Sequence, residues 1–322
     1  VKRKIVFLPI ELYEERYSAQ WYIWFTSAFA VHGIDYIRFG DDRLRVIDKG
    51  QFLDVVETNT YKLQQAAAAI EYLRYECDWP LHVFALDLWN PCILNIAYVA
   101  KCLDLDVKFS GILHAGTWDK HDYLSQKGFG KWAQGFERSL LDLVDRVYVG
   151  TKFHRWMIER YFSGYAAKMK VVPFPVIQPD APLQEKERLV VWPHRNAIEK
   201  NKKDWYKIIK LYKLSYPDDQ VEWVSTADTC ETKEMYYKCL ARAKVVVSTA
   251  HQETFGIAML EGVNFNAYPV VPNRLSYCEL YDKEFRYETL EGAVALIKRH
   301  LDAPVYVHQR ENDLSWVKEL AE

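Results

Sequence analysis

Metal-binding and redox signatures are missing from the chain. Its six cysteines, at positions 77, 92, 102, 230, 239 and 278, form no C-x-x-C pair and have no histidine at ligand spacing. That pattern argues against structural zinc and for buried free thiols in a reducing compartment. Neither half holds a Gly-x-Gly-x-x-Gly or a P-loop lysine, so the usual dinucleotide and nucleoside-triphosphate sites are not expected. No D-x-D lies at a strand end, and "GDD" at 40–42 and "PDD" at 217–219 read as turns, so no metal is expected. No apolar run reaches the length of a membrane span. The opening "VKRKIVFLPIELYEE" has only a short apolar run followed by acids, unlike a signal peptide. A cytoplasmic protein with no membrane partner is expected. The balance of 42 basic and 44 acidic residues lacks the basic excess of a general nucleic-acid coat, so any such contact should be a local patch.

What is present fits two domains. The chain has 322 residues, half of them hydrophobic, with 22 Tyr and 11 Trp that suit large cores and, at some positions, a ligand groove. In the first half strand-like runs ("KIVFLPI", "DYIRF", "LHVFALDL", "DVKFSGILHAG", "RVYVG", "KVVPFPV") alternate with helical ones ("SAQWYIWFTSAFAVHGI", "TYKLQQAAAAIEYLRYE", "NPCILNIAYVAKCLDL", "FGKWAQGFERSLLDLVD", "KFHRWMIERYF"). "IQPDAPLQEKE", 177–187, is polar with two prolines and reads as a linker. The alternation then restarts with "RLVVWPH", "KDWYKIIKLYKLSY", "VEWVS", "TKEMYYKCLARA", "KVVVSTA", "GIAMLEGVNF", "YPVVP" and "LEGAVALIKRHL". The expected organisation is an α/β chain of two Rossmann-like, doubly wound domains, 1–176 and 188–304. A segment 305–322, carrying the helix "DLSWVKELAE", is expected to pack back on the first domain. Ligands of such sheets bind at the carboxyl ends of the strands, so a cleft between the domains is the expected site.

Two stretches of the second domain carry chemistry. "HQETFGIAMLE", 251–261, has Glu253 and Glu261 eight residues apart, about 12 Å if all were helix, too far to share one atom. The loop enters a helix near Gly256, where the backbone N–H groups of Thr254, Phe255 and Gly256 would face an anion. An ordinary strand–helix connection is the other reading of this loop. "WPHRNAIEKNKKDW" places Arg195 and Lys200 five residues apart on a loop after a strand, as a diphosphate would require. A solvated basic surface, with Lys202 and Lys203, is the alternative.

Taken together, this Arg–Lys pair and Glu–Glu pair, with "YYKCLARAKVVVSTAHQETFGIAMLEGVNFNAYPVVP", resemble the GT-B retaining glycosyltransferases of the GT4-like group. Lys244 stands where that group usually has Asp, and Thr254 where it usually has Gly. The resemblance implies that Arg195 and Lys200 hold the diphosphate of a nucleoside diphosphate sugar, for instance UDP-glucose. It implies that Glu253 bonds the sugar hydroxyls, that Thr254, Phe255 and Gly256 cap sugar and phosphates through N–H groups, and that Glu261 takes the ribose. His114, at the end of "GILHAG", would sit beside donor sugar and acceptor, or be structural. The implied reaction needs no cofactor or metal. It transfers the sugar with retention by a front-face route, the departing diphosphate oxygen taking the acceptor proton.

The acceptor is read from the first domain. "LPIELYEERYSAQWY" replaces the glycine-rich loop usual in that group, and Glu11, Tyr13, Glu14, Arg16, Tyr17 and Trp21 would project around the acceptor or simply pack a helix start. Asp87 and Asn90, in "LDLWNP", are acceptor ligands or a helix cap, with the cap favoured for Asn90. "HAGTWDKHDYLSQKGFGKW" adds Trp118, Asp119, His121, Asp122 and Tyr123, and looks like phage-type glycosyltransferases that decorate hydroxymethylated pyrimidines in DNA. The second-domain motifs are also similar to tRNA-queuosine mannosyltransferases. A hydroxyl on a modified nucleobase is the shared expectation, with DNA ahead of tRNA, in a bacterial or phage-infected cell. Glycan or lipid acceptors and a non-catalytic nucleotide-sugar-binding protein remain as alternatives.

Overall fold

The computed structural model describes residues 2–14, 16–46, 53–75, 80–177, 184–307 and 313–322. The chain divides into two compact units, Val1–Pro175 with Asp313–Glu322, and Val176–Asn312. The expected linker 177–187 lies largely outside the described residues. Its last part is packed on unit 2, where Lys186 Nζ donates to Ala241 O (2.7 Å).

Unit 1 contains β1 (Lys4–Leu8), α1 (Tyr17–Val31), β2 (Tyr36–Arg38), α2 (Val55–Tyr75), β3 (Leu81–Ala85), α3 (Cys92–Cys102), β4 (Val107–Ile112), α4 (Tyr123–Gln126), α5 (Gly130–Leu143), β5 (Arg146–Val149), α6 (Lys152–Tyr161) and β6 (Met169–Val171). Its sheet is parallel, in the order β2-β1-β3-β4-β5-β6. Strands such as "IVFL" and "LHVFA" are buried throughout, as helix-covered parallel strands must be. The chain steps from β1 outward to β2 and returns to β3 on the other side. The switch point, where ligands of such sheets bind, therefore lies between the ends of β1 and β3. α1 stops at Val31 because Gly33 takes φ +62 and Ile34 N–H turns back to Phe29 O (2.9 Å). α2 starts five residues before the expected Thr60, because Asp54 Oδ1 accepts the N–H groups of Val56 and Glu57 as a cap.

The C-terminal segment belongs to unit 1. It is a 3₁₀ helix over Ser315–Ala321 rather than an α-helix. Trp316 packs against Tyr148 (4.6 Å between ring centroids) and Phe25 (5.8 Å), and His82 Nδ1 bonds Leu320 O (2.7 Å).

Unit 2 contains β7 (Glu187–Trp192), α7 (Lys202–Ser215), β8 (Glu222–Ser225), α8 (Thr226–Thr229), α9 (Lys233–Arg242), β9 (Ala243–Val247), α10 (Ile257–Asn264), β10 (Tyr268–Pro272), α11 (Tyr277–Leu280), β11 (Arg286–Tyr287) and α12 (Leu290–Asp302). The sheet is parallel in the order β11-β10-β9-β7-β8. Here the chain goes out to β8 and comes back to β9, so β7 and β9 flank the switch point. α10 lies tight on the sheet, and a Cβ at Gly262 would meet Val246 Cγ1 at 2.6 Å.

The expected burial of the thiols holds only in part. Cys92 and Cys239 are buried, whereas Cys102 and Cys278 are exposed at a helix end and on a short helix; Cys77 lies outside the described residues. Among the described residues no helix is long and apolar enough to cross a membrane, and no group of His, Cys, Asp and Glu is placed to hold a metal.

Candidate active site

The two loops that sequence singled out leave β7 and β9, neighbours at the switch point of unit 2. They are stitched together: His251 N–H donates to Glu199 O (2.8 Å), and Thr249 Oγ1 bonds Lys200 O (2.9 Å) and Asn201 O (3.0 Å). Trp192 Nε1 donates to the same Thr249 hydroxyl (3.0 Å). The solvated-surface reading does not fit Lys200, which is only 8% exposed. Its ammonium donates to Gln252 O (2.8 Å) and pairs with Glu253 Oε2 (3.2 Å). Glu253 Oε1 in turn accepts the Gly256 N–H (2.9 Å), closing the turn that leads into α10. Gly256 has φ +85, the left-handed region open to glycine, and a Cβ there would meet Tyr277 Cε1 at 3.3 Å. Phe255 is buried beneath the turn and Thr254 is half-buried. Arg195, with its side chain 46% exposed, pairs with buried Glu199 (2.6 Å). Burial pulls the Glu199 carboxyl upward most strongly of any single influence, but the bond from Arg195, a backbone hydrogen bond and the charges of Arg195 and Lys200 together make the net shift downward.

Glu261 sits inside α10, 6% exposed. Its Oε1 accepts from Lys233 Nζ (2.9 Å) and Tyr237 OH (3.1 Å), and its Oε2 from Tyr236 OH (2.7 Å). A carboxylate offers about four lone-pair sites, so a ribose hydroxyl would share Glu261 with three protein donors.

Unit 1 brings together Glu11, Tyr13 and Asp87 at the ends of β1 and β3, its own switch point. Glu11 is buried, with Oε1 accepting from Thr58 Oγ1 (2.6 Å). Glu11 Oε2 and the buried Tyr13 hydroxyl have no hydrogen-bond partner among the described residues. Asp87 Oδ2 pairs with Lys62 Nζ (2.9 Å), and its Oδ1 accepts the Trp89 N–H (3.0 Å). Burial depresses the Lys62 ammonium, but Asp87 and Glu11 raise it further, so it stays charged. Arg16 lies over the Tyr13 ring (5.9 Å). Asn90 Oδ1 accepts the Cys92 N–H (3.1 Å) and is a cap of α3.

Several acceptor-side expectations meet a different placement. Trp118 lies in the core against Phe162 and His154, and Trp21 is fully buried with Phe25 and Phe174, so neither ring presents a face to a base. Asp119 is buried, its Oδ1 closing a turn by accepting the His121 N–H (2.9 Å). Asp122 caps α4, and burial pushes its carboxyl up to about 6. Tyr123 begins that short helix, and Glu14 N–H bonds Arg45 O (3.1 Å). His114 Nε2 donates to Leu86 O (2.7 Å) and the ring is boxed by Tyr17 and Trp21. Burial lowers its pKa, so a neutral imidazole is held at the end of β4.

Sequence alone does not reveal a buried chain under the two loops that leave β7 and β9. His194 Nε2 bonds Ser248 Oγ (2.8 Å), which bonds Tyr277 OH (2.7 Å), all three nearly inaccessible. Burial, with Lys200 and Arg195 nearby, holds the His194 pKa well below its usual value. His194 was visible in "WPHRN", but nothing local links it to a serine just past β9 and a tyrosine at the start of α11. Tyr236, Tyr237, Lys233, Thr58 and Lys62 are hidden likewise, because each acts on a site residue from a separate helix.

No family model matches the chain. It is 33% identical over 128 residues to the tRNA-queuosine alpha-mannosyltransferase of Drosophila melanogaster, a match covering 33% of this chain and 34% of that protein. The chain thus spans about a third of the length of this curated relative. Among solved structures it superposes on sucrose-phosphate synthase from Thermosynechococcus elongatus (TM-score 0.61, 14% identity), covering 100% of this chain and 92% of that one. It also superposes on an alpha,alpha-trehalose-phosphate synthase (UDP-forming) from Burkholderia vietnamiensis (TM-score 0.60, 12% identity), covering 94% and 92%. The chain has the GT-B fold of glycosyltransferases, with two parallel-sheet Rossmann-like units.

Proposed function

We propose that the chain transfers a sugar from a nucleoside diphosphate sugar to a hydroxyl on a modified nucleobase. The observation that carries this reading is the pair of stitched loops at the β7/β9 switch point, where Lys200, Glu253 and the start of α10 meet. The first-turn N–H groups of a helix and its dipole favour an anion there. Arg195 and Lys200 add cationic donors for the diphosphate, and Glu253 stands where sugar hydroxyls would follow. In the reaction the bond from the anomeric carbon to the diphosphate oxygen breaks and a bond to the acceptor oxygen forms. The acceptor proton passes to the departing diphosphate, whose charge the cations and helix start stabilise. No step calls on a metal or cofactor. In unit 1, Glu11 Oε2, the Tyr13 hydroxyl and Asp87 supply polar atoms for the acceptor, with the neutral His114 beside them.

For the acceptor, the similarity to the tRNA-queuosine enzyme supports a modified nucleoside of tRNA over the hydroxymethylpyrimidine in DNA expected from the first domain. Burial of Trp21 and Trp118 leaves neither ring available to an acceptor base of either kind. Incubation with UDP- and GDP-sugars and with queuosine-containing tRNA, hydroxymethylated DNA or plain DNA, followed by mass spectrometry of the nucleosides, tests both levels. A hexosyl increment on a nucleoside is expected. Transfer only to a glycan or lipid would overturn the acceptor, and nucleotide binding without any transfer would overturn the enzyme. Glu253→Gln should lose transfer while UDP affinity stays within a few-fold, read by calorimetry. Equal loss of both would contradict its assignment to the sugar.

A further inference from the structure

The chain is slightly acidic overall, yet residues 127–170 hold nine Lys and Arg against four Asp and Glu. One of those four acids faces inward: Glu137 is buried and accepts from Trp89 Nε1 (3.0 Å) and Thr117 N–H (2.8 Å). Asp145, which is exposed, accepts the Phe109 N–H (2.8 Å). The outward side of α5 and α6 is therefore more basic than the count suggests. It is also aromatic, with Trp132 61% and Trp156 49% exposed.

The two helices and the edge strand β6 form one surface. A concavity of about 420 Å³ lies between α5 and the end of α6, lined by Lys131, Arg138 and Tyr161. A second, of about 570 Å³, lies on the other flank of α6 toward β6, lined by Lys152, Arg155, Trp156, Glu159 and Lys170; here Arg155 pairs with Glu159 (2.5 Å) and Lys170 with Glu319, so its positive charge is partly balanced. Guanidinium groups lie on aromatic faces across it, Arg160 over Trp156 (4.8 Å) and Arg138 over Phe162 (5.7 Å). Among the described residues no ion pair involves Lys131, Arg138 or Arg160.

We propose that this face of unit 1, from α5 across α6 to β6, binds the sugar-phosphate backbone and unstacked bases of a polynucleotide. Cations interleaved with exposed rings are what a phosphate chain with stacking bases requires. A membrane surface fits less well, because insertion needs protruding apolar side chains on one side, and here Trp156 carries Arg160 across its ring. The inference rests on the reading that the acceptor is a nucleic acid, and places its backbone away from the transfer site's own residues.

The test is binding of a fluorescein-labelled tRNA transcript by the full chain, by anisotropy over a series of KCl concentrations. Lys131→Glu, Arg138→Glu and Arg160→Glu combined should weaken binding at least about tenfold and flatten the salt slope by roughly 2 to 3, one unit or a little less per phosphate contact. Trp132→Ala with Trp156→Ala should weaken binding severalfold and leave the slope in place. An unchanged circular-dichroism spectrum and thermal melt show that the variants are folded, and the Gln versions of the three cations replace the Glu set if that control fails. Wild-type tRNA affinity in the charge variants overturns the proposal, as does wild-type binding to phosphatidylserine vesicles with none to the transcript. Sugar transfer to a nucleic acid that the charge variants leave untouched would remove this face and keep the proposed function. Loss of tRNA binding in a protein that glycosylates no nucleoside would do the reverse.

Discussion

Glu261→Ala separates a ribose ligand from a structural clasp. Glu261 joins α10 to α9 by accepting from Lys233, Tyr236 and Tyr237 at 2.7–3.1 Å, and both tyrosine rings lie under the Lys233 ammonium at 4.6 and 4.8 Å. Truncation strands a half-buried ammonium and two buried hydroxyls. Breaking a buried charge pair by removing one partner costs about 3–5 kcal/mol, and an orphaned buried hydroxyl about 1–3 kcal/mol. The donors share one acceptor, so these costs overlap rather than add, and about 3–5 kcal/mol is expected in all. Unit 2 should then melt roughly 10–20 °C lower. Glu261→Gln keeps one acceptor oxygen, loses the charge pairing and replaces the other acceptor with an NH2 donor, for about 1–3 kcal/mol. Thermal unfolding followed by tryptophan fluorescence gives the stability, and UDP calorimetry well below each melting point gives the affinity. The clasp predicts a large loss of stability in the Ala variant and a Gln variant that binds UDP within about tenfold of wild type, the worth of one shared hydrogen bond. An Ala variant as stable as wild type that no longer binds UDP would refute it and leave Glu261 a dedicated ribose ligand.

Gly256→Ala should cost about 1–2 kcal/mol, because φ +85 is strained for any residue with a Cβ, and should weaken UDP binding by tilting the start of α10; unchanged urea unfolding and UDP affinity would contradict this. His82 should make the fold acid-sensitive: burial lowers its pKa to about 4 from a usual 6.5, so the unfolded chain takes up its proton first. Stability is then intact above pH 6.5 and falls by about 3 kcal/mol as pH drops to 4, and urea titrations of wild type against His82→Gln should show a shallower fall in the variant.

The strand–helix alternation was legible because buried parallel strands and amphipathic helices write different periods into the sequence, and "IVFL" and "LVVW" leave little choice. Short elements were not: α4, α8, α11 and β11 span two to four residues each, too few to show a period. Helix starts set by a side chain at a distance from the apolar run, such as Asp54 before α2, were placed late. The two candidate loops stood out because their residues are local, Arg195 and Lys200 within one short loop and Glu253 and Gly256 within another. The acceptor side fared worse for the opposite reason. Whether Trp118 or Trp21 faces a ligand or a core depends on rings from α6, α1 and the 172–175 stretch, and no local pattern carries that. Asp87 and Glu11 were found, but their partners Lys62 and Thr58 come from α2, across a crossover.

The charges at the donor loops are balanced within the chain, and this shapes how a diphosphate would be held. Lys200 has three N–H donors, and Gln252 O, Gln252 Oε1 and Glu253 Oε2 lie within 3.4 Å of its nitrogen. Arg195 is likewise committed in part to Glu199. A phosphate that draws on Lys200 must displace one of these acceptors, and the Glu253 contact, at 3.2 Å, is longer than the 2.8 Å bond to the Gln252 carbonyl. Exchange of Glu253 for phosphate would release a carboxylate oxygen toward the sugar while its other oxygen keeps the Gly256 N–H and the turn stays closed. Binding of the diphosphate and presentation of Glu253 to the sugar hydroxyls would then be one event. The attraction would come from partner exchange and the helix start rather than from surplus positive charge, which is why the lysines of α7, though numerous, are not needed to explain it.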